Sequence, residues 1–201
     1  MLFVILILIF LLAFLYSVIY QIRCFIIRQK KDELGKKVNS IIVGQYVLKN
    51  NNTNIYLVKT NNNKRSHYDV KRNAIRLDDI DYDSNTFFSV ANSIALAINA
   101  VSINKGNRFY FLLANYINKI AIVICIVCIY LHDLTFLMLG MIFFLGCLFF
   151  KYNNLKKEMD ILNTEIDNIK KEYKINDKDI EKIYNYTSVI LYNELSFNIF
   201  K

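Results

Sequence analysis

The sequence predicts a mainly α-helical integral membrane protein with a small sheet of two or three strands. Three observations carry this. Residues 1–20, 120–131 and 134–150 hold no charged side chain. Between 55 and 77, short alternating runs flank polar turns, as in half-buried strands. From Leu155 onward, apolar residues step by four and three through a charged segment, which is a helical stripe. Hydrophobic residues fill 55% of the 201 positions, against ~45–50% in a soluble domain, and the excess lies in the uncharged blocks.

A hydrocarbon core ~30 Å thick takes about 20 apolar helical residues to cross. Residues 2–20 are long enough, and they lack the basic start and small-residue cleavage site of a signal peptide. Segment 1–22 therefore reads as an uncleaved transmembrane anchor. Arg23, Arg28, Lys30, Lys31, Lys36 and Lys37 follow it. The positive-inside rule puts the N-terminus outside and residue 23 onward in the cytoplasm. The chain has 25 Lys+Arg against 17 Asp+Glu, a net charge of +8. On a cell-membrane protein that balance implies orientation and contact with an anionic lipid bilayer. No nucleic-acid-binding motif accompanies the basic residues, so nucleic acid is not an expected partner.

Residues 23–110 form the expected cytoplasmic core. A short helix fits 38–49 and a strand 55–59. A polar loop, 61–64, leads to His67-Tyr68-Asp69, a basic turn and 73–77, which together suggest a hairpin. Tyr68 and Leu77 are expected in the core, with Arg76 solvated or ion-paired. Asp78, Asp79, Asp81 and Asp83 lack the glycine and closing carboxylate of a calcium loop and read as a solvated turn or helix start. In 86–103, Phe87, Ala91, Ile94, Ile98 and Val101 recur at helical spacing, with Ser89, Asn92, Ser93 and Asn99 on the other face.

Residues 111–150 read as a transmembrane helical hairpin. Its first limb, within 109–131, must include Asn115, Asn118 and Lys119, with Lys119 snorkelling to the interface. His132-Asp133 forms the link, and 134–150 returns toward Lys151, Lys156 and Lys157. The total is three crossings, the alternative for the hairpin being a re-entrant or interfacial pair. Cys125-x-x-Cys128 has half of a metal-site spacing but sits among Ile and Val, where thiols behave as small hydrophobes. Cys24 and Cys147 suggest no disulfide framework. Residues 151–201 then supply helices packing on the core. Leu155, Met159, Leu162, Ile166, Ile169 and Tyr173 form the buried stripe. Asn176 caps a last helix, with Asp179 three residues on. The apolar stretch 186–200 packs on the domain or lies at the interface.

The segment Ser66-His67-Tyr68-Asp69-Val70-Lys71-Arg72-Asn73-Ala74-Ile75-Arg76-Leu77, in this layout, resembles the membrane zinc metallopeptidases of bacteria, the YugP-like group. That family orders an anchor, a cytoplasmic domain, a strand-turn-strand H-Y-D-P-x-x-x-x-[IV]-R-L, an H-E-x-G-H helix, a membrane hairpin and a late E-x-D helix. Val70 stands where the Pro belongs. The resemblance covers nearly the whole chain and implies an α+β zincin-like core. It makes 55–77 the strand-turn-strand, 86–103 the former active-site helix, and His67, Tyr68 and Asp69 candidate binding residues on an edge strand beside a cleft.

Zinc is the cofactor the resemblance implies. A zincin needs His at i and i+4 on one helical face and a Glu between them to take a proton from the zinc-bound water. Here Asn92 stands for the first His, Ser93 for the Glu and Leu96 for the second His. The third ligand is expected near Lys151-Tyr152-Asn153. All ligands and the base are replaced together, so neither bound zinc nor peptidase activity is expected. Asn92, Leu96 and Lys151 or Tyr152 should then line the former metal site. The reading that follows is a pseudopeptidase, a binding or regulatory membrane protein with a membrane or peptide partner taken up by strand addition. The competing readings are an active zinc metallopeptidase with divergent ligands, and an unrelated structural or channel-forming membrane protein whose pathway is lined by Asn115, Asn118 and Lys119.

Overall fold

The computed structural model describes residues 2–35, 38–60, 66–105, 134–195 and the single positions 117, 120, 123, 124 and 127. In order, the elements are α1 (Leu2–Gln29), α2 (Ser40–Asn50), β1 (Tyr56–Lys59), β2 (His67–Asp69), β3 (Ala74–Leu77), α3 (Phe87–Lys105), α4 (Leu134–Tyr173) and α5 (Asp177–Leu195). Among the described residues the chain is mainly helical with one three-stranded sheet, in agreement with the coarse fold class. The single described positions between 117 and 127 are helical. The remainder of the first hairpin limb, with Asn115, Asn118, Lys119, Cys125, Cys128, His132 and Asp133, lies outside the described residues, as do the loop 61–64 and the end of the chain after 195.

Local chemistry explains the helix ends. Asn39 is extended and its side chain accepts from the Ile42 N–H at 2.9 Å, capping α2. Thr86 accepts from the Ser89 N–H at 3.2 Å and caps α3. Asn176 accepts from the Asp179 N–H at 2.8 Å, as its spacing predicts, and caps α5. Each side chain satisfies a donor that the helix itself leaves open. Lys174 takes a positive φ of 51° in the reversal between α4 and α5.

In the sheet β3 is central, parallel to β1 and antiparallel to β2, which forms the other edge. His67 lies opposite Arg76 and Tyr68 opposite Ile75. The turn between them is held by Asp69, whose Oδ1 accepts from the Arg72 N–H at 3.2 Å. Asn73 sits there at φ 52°, a left-handed conformation that Asn tolerates. Leu77 is fully buried, and Tyr68 is half-buried against the core.

Helix α3 runs through the middle of the core. The expectation of one apolar and one polar face does not hold. Ser89, Ser93, Asn99 and Ser102 are as buried as Ile94 and Ile98, because α2, α4, α5 and the sheet surround the helix. Helix α4 also departs from the segmentation read in the sequence. The apolar block 134–150 and the charged stripe after 151 form one uninterrupted helix of 40 residues, about 60 Å long. No proline interrupts it.

Side-chain pairs set the helix directions. Ile7 packs with Leu137 and Met141, and Ala13 with Phe144. Both helices advance together, so α1 and α4 run parallel. Lys182 of α5 meets Asp32, just past α1, at 2.7 Å, and Tyr192 stacks near Tyr20 with ring centroids 5.2 Å apart. Helix α5 therefore runs opposite to α1. Lys182 also lies 4.1 Å from the centre of the Phe87 ring, and Ser102 bonds to Asn154 at 2.9 Å. Helix α3 thus runs with α5 and against α4.

Helix α2 lies close to α3 and β1 at Gly44, where a Cβ would clash with Ser93 Oγ and lie 3.0 Å from a Leu57 methyl. Gly44→Ala should therefore destabilise the protein by about 1–3 kcal/mol in thermal unfolding, the usual cost of overpacking. Gly146→Ala, where a Cβ meets nothing within 4 Å, should show no such loss. Adding Ser93→Ala to Gly44→Ala should remove part of the penalty.

Candidate functional site

A cluster of hydrogen-bonded polar side chains surrounds buried Asp81. Sequence reading took the acidic run 78–83 as solvated, but Asp81 is 1% exposed and Asp78 8%. The turn after β3 folds Asp81 inward onto the first turns of α3. Its Oδ1 accepts from Ser89 Oγ at 2.9 Å, and its Oδ2 accepts from Ser66 Oγ at 2.6 Å and Asn92 Nδ2 at 2.7 Å. Its carbonyl accepts from Ser40 Oγ at 2.5 Å, and its N–H donates to Asp78 Oδ1 at 2.8 Å. The other Asp78 oxygen takes a 2.9 Å hydrogen bond from Arg28, at the end of α1. Asp79 and Asp83 are the exposed members of the run, the first paired with Lys59 at 3.3 Å, the second bonded by Asn39.

Burial pushes the Asp81 carboxyl above the usual carboxylate range, and neighbouring Asp78 adds to this, while the Ser66, Ser89 and Asn92 donors oppose it. A general base must reach a substrate proton, and Asp81 is sealed from solvent and already accepts three side-chain bonds. Its geometry is that of a structural tie.

The positions read as a former metal site are used by the fold. Asn92 is the third donor to Asp81. Ser93 is fully buried and donates to the Ser40 carbonyl at 2.6 Å. Leu96 is 5% exposed and belongs to the core. Lys151 lies elsewhere. Three residues further along α4, Asn154 bonds to Ser102, ten residues from Asn92 along α3, or about 15 Å. The expected convergence of Asn92, Leu96 and Lys151 on one hollow is therefore corrected. The error is one of register: α4 meets the start of α3 well past residue 151.

Of the edge-strand candidates, His67, Tyr68 and Asp69 are all half-buried. The Tyr68 hydroxyl donates to Asn73 Oδ1 at 2.7 Å, and Asn73 in turn donates to the Asn54 carbonyl at 2.9 Å. Asp69 pairs with Arg76 at 3.2 Å. Burial raises the Asp69 carboxyl, but the Arg72 N–H and the Arg76 guanidinium outweigh it and hold it below the usual range. Tyr68 and Asp69 thus hold the hairpin in shape.

Two buried carboxylates escaped the sequence reading. Glu158 and Glu165 of α4 are each 3% exposed. Asn154 donates to Glu158 at 2.7 Å, and Asn50 and Asn51 both donate to Glu165, at 2.8–2.9 Å. The buried stripe is Leu155, Glu158, Leu162, Glu165 and Ile169, one position off the apolar stripe for two of its members. The available signal was their seven-residue spacing, which puts both on one helical face with Leu155, Leu162 and Ile169. Among the described residues, no three His, Cys, Asp or Glu side chains group so as to hold a metal ion. No protein-family model, curated protein or solved structure matches the chain.

Asp81→Ala strands three donors, buried Ser89 and half-buried Ser66 and Asn92, and its expected cost is at least about 2 kcal/mol in thermal or denaturant unfolding. Its raised carboxyl also has a pH signature. The folded state holds this proton more tightly than the unfolded state, so the stability it contributes is full in acid. It is lost as pH rises from the ordinary Asp value through the raised one. The stability of the wild type relative to Asp81→Asn should accordingly fall with rising pH across that window. A difference that stays flat would show that Asp81 titrates as an ordinary carboxylate.

Proposed function

We propose that the protein is a membrane-anchored, catalytically inactive relative of zinc metallopeptidases that works by binding a membrane or peptide partner. One observation carries this reading. The side chains at the former ligand and base positions, Asn92, Ser93 and Leu96, are engaged in folding. A metal ion there would have to displace the Asn92–Asp81 bond, and Leu96 offers it no donor atom. The antiparallel edge strand β2, followed by β3 and then α3, supports the scaffold kinship, as does the passage of α4 beside α3. Strand addition at an exposed edge uses backbone hydrogen bonds and needs no metal.

The membrane part of the reading rests on two helical stretches long and apolar enough to cross, Ile7–Gln29 and Thr135–Tyr173. Only 6% of the most apolar 18 residues of the first are buried within the protein. Leu8, Leu12, Leu15, Ile19, Ile22 and Phe25 all point away from it, at a cost in water of about 25 cal/mol per Å². Acyl chains are the medium that relieves this. Two parallel spans need an odd number of crossings between them, and the sequence offers one, within 109–131. Three crossings leave the core and the C-terminal helices on the cytoplasmic side.

Metal analysis of the detergent-purified chain tests the catalytic half. Zinc well below one equivalent per chain, with no peptide hydrolysis after zinc is added, is the expected result. Stoichiometric zinc that a chelator removes together with peptidase activity would overturn it. Alkaline carbonate tests the membrane half: the chain should stay with the bilayer fraction.

A further inference from the structure

Helices α1 and α4 each carry cations just past their apolar stretches, and their packing brings Arg23 level with those of α4, with Lys30 and Lys31 about 10 Å further toward the soluble core. Ala13 against Phe144 sets Arg23 level with residue 154, so Lys151, Lys156 and Lys157 lie within about 5 Å of Arg23 along the helix axes. Arg23, Lys30, Lys31, Lys156 and Lys157 are all exposed. Among the described residues, ion pairs use Arg28, Lys59, Arg76, Lys170 and Lys182 and leave these five aside. No acidic residue precedes Asp32 in the chain, and none lies between 134 and 157. Of the nearby acids, Asp78 faces Arg28, Asp32 faces Lys182 with Lys30 also attracting it, and Glu158 is buried, while Glu33 and Asp160 are exposed beside the cations. Tyr20, under the Arg23 guanidinium at 5.8 Å, belongs to the residue class that settles at the headgroup level.

We infer that Arg23, Lys30, Lys31, Lys156 and Lys157 form a binding surface for the headgroups of anionic phospholipids, on the side of the bilayer that faces the soluble core. The inference rests on the membrane reading above. The occupant is a lipid because the cations are continuous with exposed apolar faces of both helices, including Ile22 and Phe25 on α1 and Phe149 and Phe150 on α4. A ligand with both a phosphate and acyl chains satisfies the two surfaces together. Each cation near such a headgroup layer strengthens attraction by roughly fivefold.

The test uses the full-length chain in detergent, mixed with equimolar phosphatidylglycerol and phosphatidylcholine. The chain is re-isolated and its bound lipids are counted by mass spectrometry. Phosphatidylglycerol should be retained over phosphatidylcholine by about fivefold or more. Changing Lys30, Lys31, Lys156 and Lys157 all to Gln should bring the ratio close to unity, whereas changing the same four to Arg should preserve it. A control, Lys171→Gln with Lys178→Gln, should also preserve it, because Lys171 lies about 21 Å further along α4. Equal retention by the wild type, or enrichment that survives the four Gln changes, overturns the inference. Collapse of the ratio on adding inorganic phosphate at constant ionic strength also overturns it, in favour of a free-phosphate site. Retention of neither lipid would instead sink the membrane reading beneath it.

Discussion

The buried carboxylate of Asp81 is the constraint on which the rest of the fold depends. A charge so placed is tolerated only when donors surround it, and here the three donors to the carboxylate come from two separated segments, with a third segment bonding the Asp81 carbonyl. Ser66 leads into β2, Ser89 and Asn92 open α3, and Ser40 opens α2 through the Asp81 carbonyl. Asp78 and Arg28 extend the network to the end of α1. The sheet, the central helix and the long N-terminal helix thus share one set of hydrogen bonds. Disturbing one member leaves others unsatisfied in a low-dielectric setting, where each lost bond counts most.

This arrangement bears on function through what it occupies. A catalytic metal centre needs ligands held ready and a position open to substrate. Helix α3 offers neither along the Asn92–Leu96 face. One side chain is tied to Asp81, the next is pinned under α2 at the Gly44 crossing, and the third is core. Among the described residues, the rim of the small sheet and the two apolar helices with their flanking cations stay exposed.

Much of the fold was legible in the sequence. The period-two runs at 55–59 and 67–77 and the polar turns between them mark the strands. Asn176 with Asp179 announces the last helix. Helix periodicity finds α2 and α3 to within a few residues. Long-range partnership was not legible. Asp81 looked like one more solvated acid because its donors lie 8 to 41 residues away. The polar side chains of α3 suggested a wet face, yet each is satisfied inside the core. The register between α3 and α4 misled the third-ligand estimate, since counting residues along a chain does not fix how two helices slide past one another. Glu158 and Glu165 went unseen because a stripe drawn through apolar residues alone omits buried acids, which depend on amide donors such as Asn50, Asn51 and Asn154.

The central claim is that Asn92, at the position of a metal-binding histidine in the resembling family, serves to satisfy Asp81. A double-mutant cycle of Asp81→Ala and Asn92→Ala, followed by unfolding in detergent, measures that link directly. The account predicts that the two losses are strongly non-additive, with a coupling of about 1 kcal/mol or more. Additive losses, or an Asn92→Ala protein as stable as the wild type, would contradict it.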